Sequence, residues 1–531
     1  MLPSAPASTE VPAPPVETAP AFVFSPHAVE ATSPEKYIKS TDIMVNGEIV
    51  SEYVPKEKIS FGLGSAYTNV PGLTTFRGNN YRDGGAYGTT ELINKKFGPS
   101  WTVTTSSLGA PDGSYWSGSG WTGQPLIIEW PRETRMHMTN MQDWAKNAER
   151  LVEVIYPTMD GKIYFMELST GKPTREPLNV GYTFKGTGTV DPRGYPILYI
   201  GSGYHSAKGK SKVFIINLLD GSIMHTFGDK DSFAIRDWSM FDSAPLIDAK
   251  TDNLIYPGEN GVVYIMKLNS KYDKAAGTVS IAPEEPVKWR YNGVRTSLAS
   301  YWLGFEASPV IHEGYLFLPD NGGNLICLDL NTLKIVWVAD ILDDSNCTPV
   351  LELENGHPYL YISTSFHANW RAYVNATCPV PLWKIDAVTG EKVWEKTYSC
   401  RTEKGASGGV QGSVASGAKN ISDLVFFPVA RTPEGSTGTL VAIDKKSGDV
   451  VWEKKTPMYS WSSPVLVYDA NGDGYIIYPT FLGKVFLLNA RSGETLDTFD
   501  IKGHTEATPA VFENFLVIGH RNERIYGIQL T

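Results

Sequence analysis

Five polar residues recur at one fixed place in this chain, and they are of the types that hold cations, sugars or planar ligands. Thr122, Asp242, Glu306, Asn346 and Glu506 each stand three residues ahead of a proline that opens an apolar run. The fourth residue ahead is aromatic in three of these places, Trp121, Phe241 and Phe305, while Trp238 and Trp302 stand seven ahead. Carboxylates and an amide supply oxygen acceptors, and aromatic faces supply a stacking surface. If these places converge, Trp121, Asp242, Glu306, Asn346, Glu506, Trp238 and Trp302 form a ligand-binding mouth. Loop ends are polar in any fold, and aromatics near strand starts also pack between sheets, so a purely structural reading stays open beside the functional one.

A second constellation suggests a metal. In DANGDG, Asp469 to Gly474, the side chains of Asp469, Asn471 and Asp473 offer oxygens at alternate positions, as calcium loops do, and calcium is expected there as a stabilising ion. The twelfth loop position is Thr480 rather than Glu, and Asn-Gly and Asp-Gly are also ordinary hairpin residues. Catalytic signatures are thin. The nine histidines form neither HxxxH nor HExxH, and only His504, two residues before Glu506, falls near the proposed mouth. GSGWTG at 118–123 and GSGYHS at 201–206 open no helix of a βαβ unit. No catalytic residue is assigned. Cys327, Cys347, Cys378 and Cys400 lack CxxC spacing; Cys378 and Cys400 flank the strand pair around Trp394 and could be bridged in an oxidising compartment, and the pairing stays open.

The elements that must position these residues are repeats. Proline cannot donate to a β ladder and therefore belongs at a strand start, which is how GQPLI, SAPLI, ASPVI, CTPVL, SSPVL and ATPAV are read. Each is followed by an alternating apolar run that ends in a turn, best seen in NLICLDLNTLKIVW from Asn324, LWKIDAVTGEKVW from Leu382 and TLVAIDKKSGDVVW from Thr439. Eight such runs begin near residues 163, 213, 263, 325, 382, 440, 485 and 525, a spacing of roughly 40 to 60 residues that belongs to propeller blades. The fold expected is all-β, an eight-bladed β-propeller of four-stranded antiparallel blades. The last unit stops at Thr531 after its third strand, and an unmatched strand, SWTVTT from Ser100, precedes the first. Supplying that strand to the last blade closes the ring and puts Trp101 where Trp337, Trp394 and Trp452 stand elsewhere.

Three regions follow: a Pro-rich disordered linker over 1–35, a leader and extension over 36–99, and the propeller over 100–531. The first region is too poor in apolar periodicity to pack and reads as the stalk of an exported protein, Met1 standing where a signal or anchor sequence was removed. The net charge of −10 and the lack of clustered Lys and Arg argue against nucleic acid as a partner, and no apolar run is long enough to span a membrane. Insertions at TNMQDWAKNAERL from Thr139 and FHANWRAYVNATC from Phe366 are expected to project from one rim and carry partner specificity.

The unit [LV]xxIDxxTGxxVW at 382–394 and 439–452, with the SPV strand starts, resembles the pyrroloquinoline quinone (PQQ) type propeller repeat. TFRGNNYRDG from Thr75 is similar to the leader of the outer-membrane assembly propellers of the Bam machinery. The likeness implies a fold more than an activity, because the glycine of the repeat makes a turn and its Trp packs between blades. Quinoprotein dehydrogenases of similar fold hold the quinone between a Trp and a vicinal disulfide, beside calcium; this chain has no adjacent cysteine pair. The expectation is therefore a monomeric, non-catalytic binding or scaffold module at the cell envelope. Its partner is an envelope protein or a glycan, and it needs no cofactor. The rivals are a PQQ-dependent dehydrogenase and a glycan-binding wall protein.

Overall fold

The computed structural model describes residues 22–295, 303–367, 371, 376–403 and 407–531. Eight small antiparallel sheets follow one another along the chain. Their innermost strands are Leu126–Glu129, Thr189–Val190, Leu246–Asp248, Val310–His312, Val350–Glu354, Ala415–Ser416, Val465–Tyr468 and Ala510–Phe512. The expected prolines stand immediately ahead of six of these. The second and sixth blades open without one, at Thr189 and Ala415.

The hydroxyl residue ahead of three of these prolines has a structural task. Ser308 Oγ accepts from the backbone N–H of Ala244 at 2.9 Å, Thr348 Oγ1 from Ser308 N at 2.9 Å, and Ser463 Oγ from Ser413 N at 2.9 Å. A hydroxyl of one blade thus satisfies an amide of its neighbour, forming a belt around the channel where the ladder itself cannot reach.

The outer strands are locked by tryptophan. Trp337, Trp394 and Trp452 each donate the indole N–H to a carbonyl of the next blade, Ala387, Lys445 and Ala490, at 3.1, 2.9 and 3.1 Å. Each ring lies on the turn glycine of that next blade: a Cβ at Gly390, Gly448 or Gly493 would stand 2.6 to 2.8 Å from the indole. Those glycines also take φ of +73 to +76°, so the turn and the close approach both require them.

Ring closure occurs where it is expected. Phe97–Thr104 pairs antiparallel with Arg524–Leu530, Trp101 opposite Gly527, and becomes the fourth strand of the eighth blade. Residues 22–35, assigned to the linker on composition, lie against the ring: Phe24 is buried beside His312, Tyr315 and Phe317, and His27 N donates to Val388 O at 2.9 Å. Apolar Phe22 and Phe24 supply the contact that the Pro-rich composition hides. Residues 1–21 lie outside the described residues. Strand Ile38–Val45 of the leader adds to the outside of the third blade, with Glu48–Val50 beyond it.

The insertions occupy opposite faces, not one rim. Two short helices, Arg132–Met136 and Asp143–Asn147, join the first and second strands of blade one, whereas the segment from Phe366 joins the second and third strands of blade five. Successive connections of an antiparallel blade alternate between faces, so the two cannot share a rim. Most of the second insertion lies outside the described residues.

Candidate functional site

The channel has a floor and a mouth. The floor is the leader. Gly72–Leu73 pairs with the inner strand of blade one and Ala86–Tyr87 runs parallel to the inner strand of blade eight, and between them the chain crosses the axis. Arg77 and Arg82 are 1% and 0% exposed. Arg82 donates to the carbonyls of Ala244, Pro309 and Phe76 at 2.9, 3.0 and 2.8 Å. Arg77 donates to those of Pro464 and Arg82 at 3.1 and 2.8 Å. The carbonyls of Ala244, Pro309 and Pro464 stand at strand starts of blades three, four and seven, so the two guanidiniums bind the inner ends of separate blades together. Burial pushes both groups below the usual arginine range, Arg77 to about 10 and Arg82 to about 9. Sequence reasoning found this segment only as a resemblance; no periodic signal marks a plug.

Directly on this floor, Thr122, Asp242, Glu306 and Asn346 line one central cavity with Phe76 of the leader and Gln411, about 30 Å³ in volume. The register argument thus brings four of its five polar positions together. Glu506 lies apart on the opposite side, 3.4 Å from Arg521 Nη1 and 3.3 Å from His504 Nε2. Trp121 stands between the two groups, its ring 4.9 Å from Lys185 Nζ and 5.3 Å from the Arg521 guanidinium. Trp238 joins the acidic side by donating Nε1–H to Glu259 Oε2 at 2.7 Å. Trp302 lies outside the described residues.

Four charged residues of the mouth were missed by sequence reasoning: Lys185, Arg236, Glu259 and Asp344. Glu259 sits on the turn between the second and third strands, in PGENG from Pro257 to Gly261, and corresponding turns supply Asn321 from PDNGG and Phe481 from PTFLG. This recurring Pro-x-x-x-Gly turn was the available signal. Asp242, Glu259 and Glu306 each turn an oxygen to within 4.8 Å of the other two. Lys185 Nζ lies 2.6 Å from Asp242, and Arg236 Nη2 lies 3.7 Å from Glu259. Asn321 Nδ2 donates to Asp344 Oδ1 at 2.7 Å. Asp242 Oδ1, Glu259 Oε1 and Asn346 Oδ1 are buried without a hydrogen-bond partner.

Burial and mutual repulsion raise these carboxyl groups. Burial raises Asp242, and burial with the charges of Glu306 and Asp242 raises Glu259 well above its ordinary value. Burial and the charge of Asp344 bring Glu306 to about 7, and burial brings Asp344 to about 7. The group holds shared protons near neutrality and offers unfilled acceptors to a ligand carrying donors or positive charge.

The DANGDG segment is the turn between strands Val465–Tyr468 and Gly474–Pro479, on the face away from the mouth. Asp469 Oδ1 accepts from the backbone N–H groups of Asn471 and Asp473, both at 2.9 Å, and Asp473 Oδ1 accepts from Asn420 Nδ2 at 2.9 Å. Asp469 thus takes part in the hairpin itself, and Asp473 ties that hairpin to the Lys419–Ile421 turn of blade six.

Residues 273–473 match the family of the outer membrane protein assembly factor BamB. BamB from Moraxella catarrhalis superposes with a TM-score of 0.45 at 17% identity, over 81% of this chain and 98% of that one. Quinohemoprotein alcohol dehydrogenase from Comamonas testosteroni superposes with a TM-score of 0.40 at 12% identity, over 89% and 83%. Among curated proteins, the beta-alanine-activating enzyme of Mus musculus is 29% identical over 98 residues, a stretch that spans 18% of this chain and 9% of that enzyme.

The quinone that such a fold brings to mind does not fit these residues. A cavity of about 30 Å³ has room for one water-sized group, whereas pockets for small organic ligands start at roughly 300 Å³. An ammonium already stands at the carboxylates, and the chain has no adjacent cysteine pair.

Proposed function

Because this chain is a PQQ-like β-propeller, we propose that it acts as a non-catalytic binding and scaffold module, exported and held at the cell envelope by its N-terminal segment. The observation that carries this reading is the construction of the channel. Its floor is sealed by Arg77 and Arg82, and its mouth holds a water-sized cavity ringed by buried acceptors, in place of a chamber for a reacting pair. Such a ring is a rigid platform, and its partners meet it through exposed features of the mouth face. Trp238 is 44% exposed there and Leu482 is 59% exposed. The match to the BamB family supports a protein partner. Among the described residues no helix is long and apolar enough to cross a membrane.

The exposed ring of Trp238 beside the Glu259 carboxylate favours one further reading, a glycan as the partner, since sugars stack on such rings and bond to such oxygens. Fractionation of cells producing the full chain tests the main proposal. The protein is expected in the envelope fraction and to stay there through a low-salt wash. Recovery in the cytoplasmic fraction contradicts it. Retention on cell-wall polysaccharide, lost in Trp238→Ala, selects the glycan.

A further inference from the structure

Two glycines shape the mouth around one lysine. A Cβ on Gly203 would stand 2.4 Å from Lys185 Cδ and 2.7 Å from Asp242 Oδ1, and a Cβ on Gly186 would stand 1.8 Å from the carbonyl oxygen of Asp242. Contacts that close have no room for a side chain, so both positions are open so that Lys185 and Asp242 can meet. Lys185 is 8% exposed, and its Nζ lies 2.6 Å from Asp242 Oδ2 and 3.9 Å from Met240 Sδ, over the ring of Trp121. It comes from blade two, at the connection ahead of Thr189, and reaches across to the carboxylates of blades three and four.

Those carboxylates have the arrangement of a cation site. Three oxygens, from Asp242, Glu259 and Glu306, lie within 4.8 Å of one another, and hard oxygens so grouped are what calcium or magnesium takes. Glu259 Oε1 and Asp242 Oδ1 are buried and unpartnered, Glu259 being 4% and Asp242 7% exposed. A divalent ion placed there would stand next to a fixed ammonium. We infer that Lys185 is the resident cation of this site: its tethered ammonium, paired with Asp242 at 2.6 Å and acting on Glu259 and Glu306 through its charge alone, takes the role a divalent ion would have at these three carboxylates and thereby excludes such an ion from the mouth. Burial opposes the lysine's charge, and Asp242, Glu259 and Glu306 overcome it and hold the group above the usual lysine range, so the tethered cation is permanent at physiological pH.

A consequence for ligand choice follows. With Lys185 in place the acceptors still unfilled, Asp242 Oδ1, Glu259 Oε1 and Asn346 Oδ1, call for hydrogen-bond donors such as hydroxyl or amide groups instead of a metal. The inference stands on the geometry of Lys185 and is independent of where the protein resides, so fractionation and the test below fail separately.

The test is a gain of binding. Lys185→Met keeps the length of the side chain and removes its charge. Wild type, Lys185→Met and the double variant Lys185→Met/Asp242→Asn are melted with and without calcium chloride, and calcium binding is measured by calorimetry. Lys185→Met is expected to acquire one calcium with a Kd of about 0.1–1 mM and a Tm raised by several degrees, the wild type to lack that event, and the double variant to lose it. Because the event is defined by its dependence on Asp242, calcium bound at any other place does not count. Should Lys185→Met fold only when calcium is supplied, the inference gains support. It is overturned by a folded Lys185→Met that takes no calcium, by a variant that fails to fold with or without it, or by a wild-type site of equal affinity that Asp242→Asn abolishes.

Discussion

The indole Nε1 of Trp101 donates to the carbonyl of Leu168 at 2.9 Å, and a Cβ on Gly171 would stand 2.5 Å from the same ring. This is the contact that Trp337, Trp394 and Trp452 make with their next blades, here made by the eighth blade with the first. The chain therefore closes twice at one residue, through the backbone ladder with Arg524–Leu530 and through the side chain on blade one. Removing residues up to 105 deletes both. Such a protein is expected to aggregate or to unfold at a much lower temperature. Trp101→Ala alone keeps the ladder and should cost about 3 kcal/mol in chemical denaturation. A truncated protein that melts like the full chain refutes the closure.

The floor of the channel makes a second demand. Arg82 is the only donor reaching the Pro309 and Ala244 carbonyls from the leader, and Arg82→Met leaves these buried acceptors unfilled. A loss of about 3 kcal/mol or more is expected, and Arg82→Lys should recover little, since one ammonium cannot span acceptors on two blades. An effect below about 1 kcal/mol would show that the leader does not tie the blades together.

Proton uptake at the mouth gives stability a definite pH dependence. Glu306 and Asp344 are held up to about 7, whereas in the unfolded chain such groups ionise near pH 4. The folded protein keeps protons through this window that the unfolded chain has lost. Their stabilisation is complete below about pH 4 and disappears as pH rises through about 7. Melting temperature should thus fall as pH rises from about 4 to about 7 and level off above about 8, and Glu306→Gln, fixed in a neutral form, should flatten that fall and melt about 2–4 °C higher at the alkaline end. An unchanged slope in the variant would assign the titration elsewhere.

Cys378 and Cys400 are register partners on adjacent antiparallel strands. Residues so opposed have Cα atoms about 4.5–5.5 Å apart, within the span a disulfide bridges. The four thiols are unbridged in the structure, and Cys327 and Cys347 are fully buried. Under oxidising conditions peptide mapping should find the 378–400 pair linked and the other two reduced. Linkage of Cys327 or Cys347 instead would contradict the strand register.

The architecture was legible because its signals are local and repeated. A proline marks a strand start, a Thr-Gly turn marks the end of the third strand, and a Trp marks the fourth, each for a reason confined to a few residues. Asp242, Glu306 and Asn346 were legible as cavity residues through the same register. Glu506 kept the register and still stands apart, because Arg521 and His504 hold it on the far side. Lys185 was hidden because its blade has no strand-start proline to count back from: Gly188 stands in that place, and Lys185, three residues ahead of it and just after Phe184, holds the same position as Asp242 and Glu306. The plug formed by Arg77 and Arg82 was illegible for another reason: its partners are backbone carbonyls far away in sequence, which leave no trace in residue types.

The claim on which the functional account rests is that this channel binds without catalysing. Titration of the purified full chain with soluble quinone and calcium, followed by its absorbance spectrum and by dye reduction with alcohols and sugars, tests it most directly. The account predicts an unchanged quinone spectrum and no dye reduction. Stoichiometric quinone uptake with reduction of the dye would contradict it.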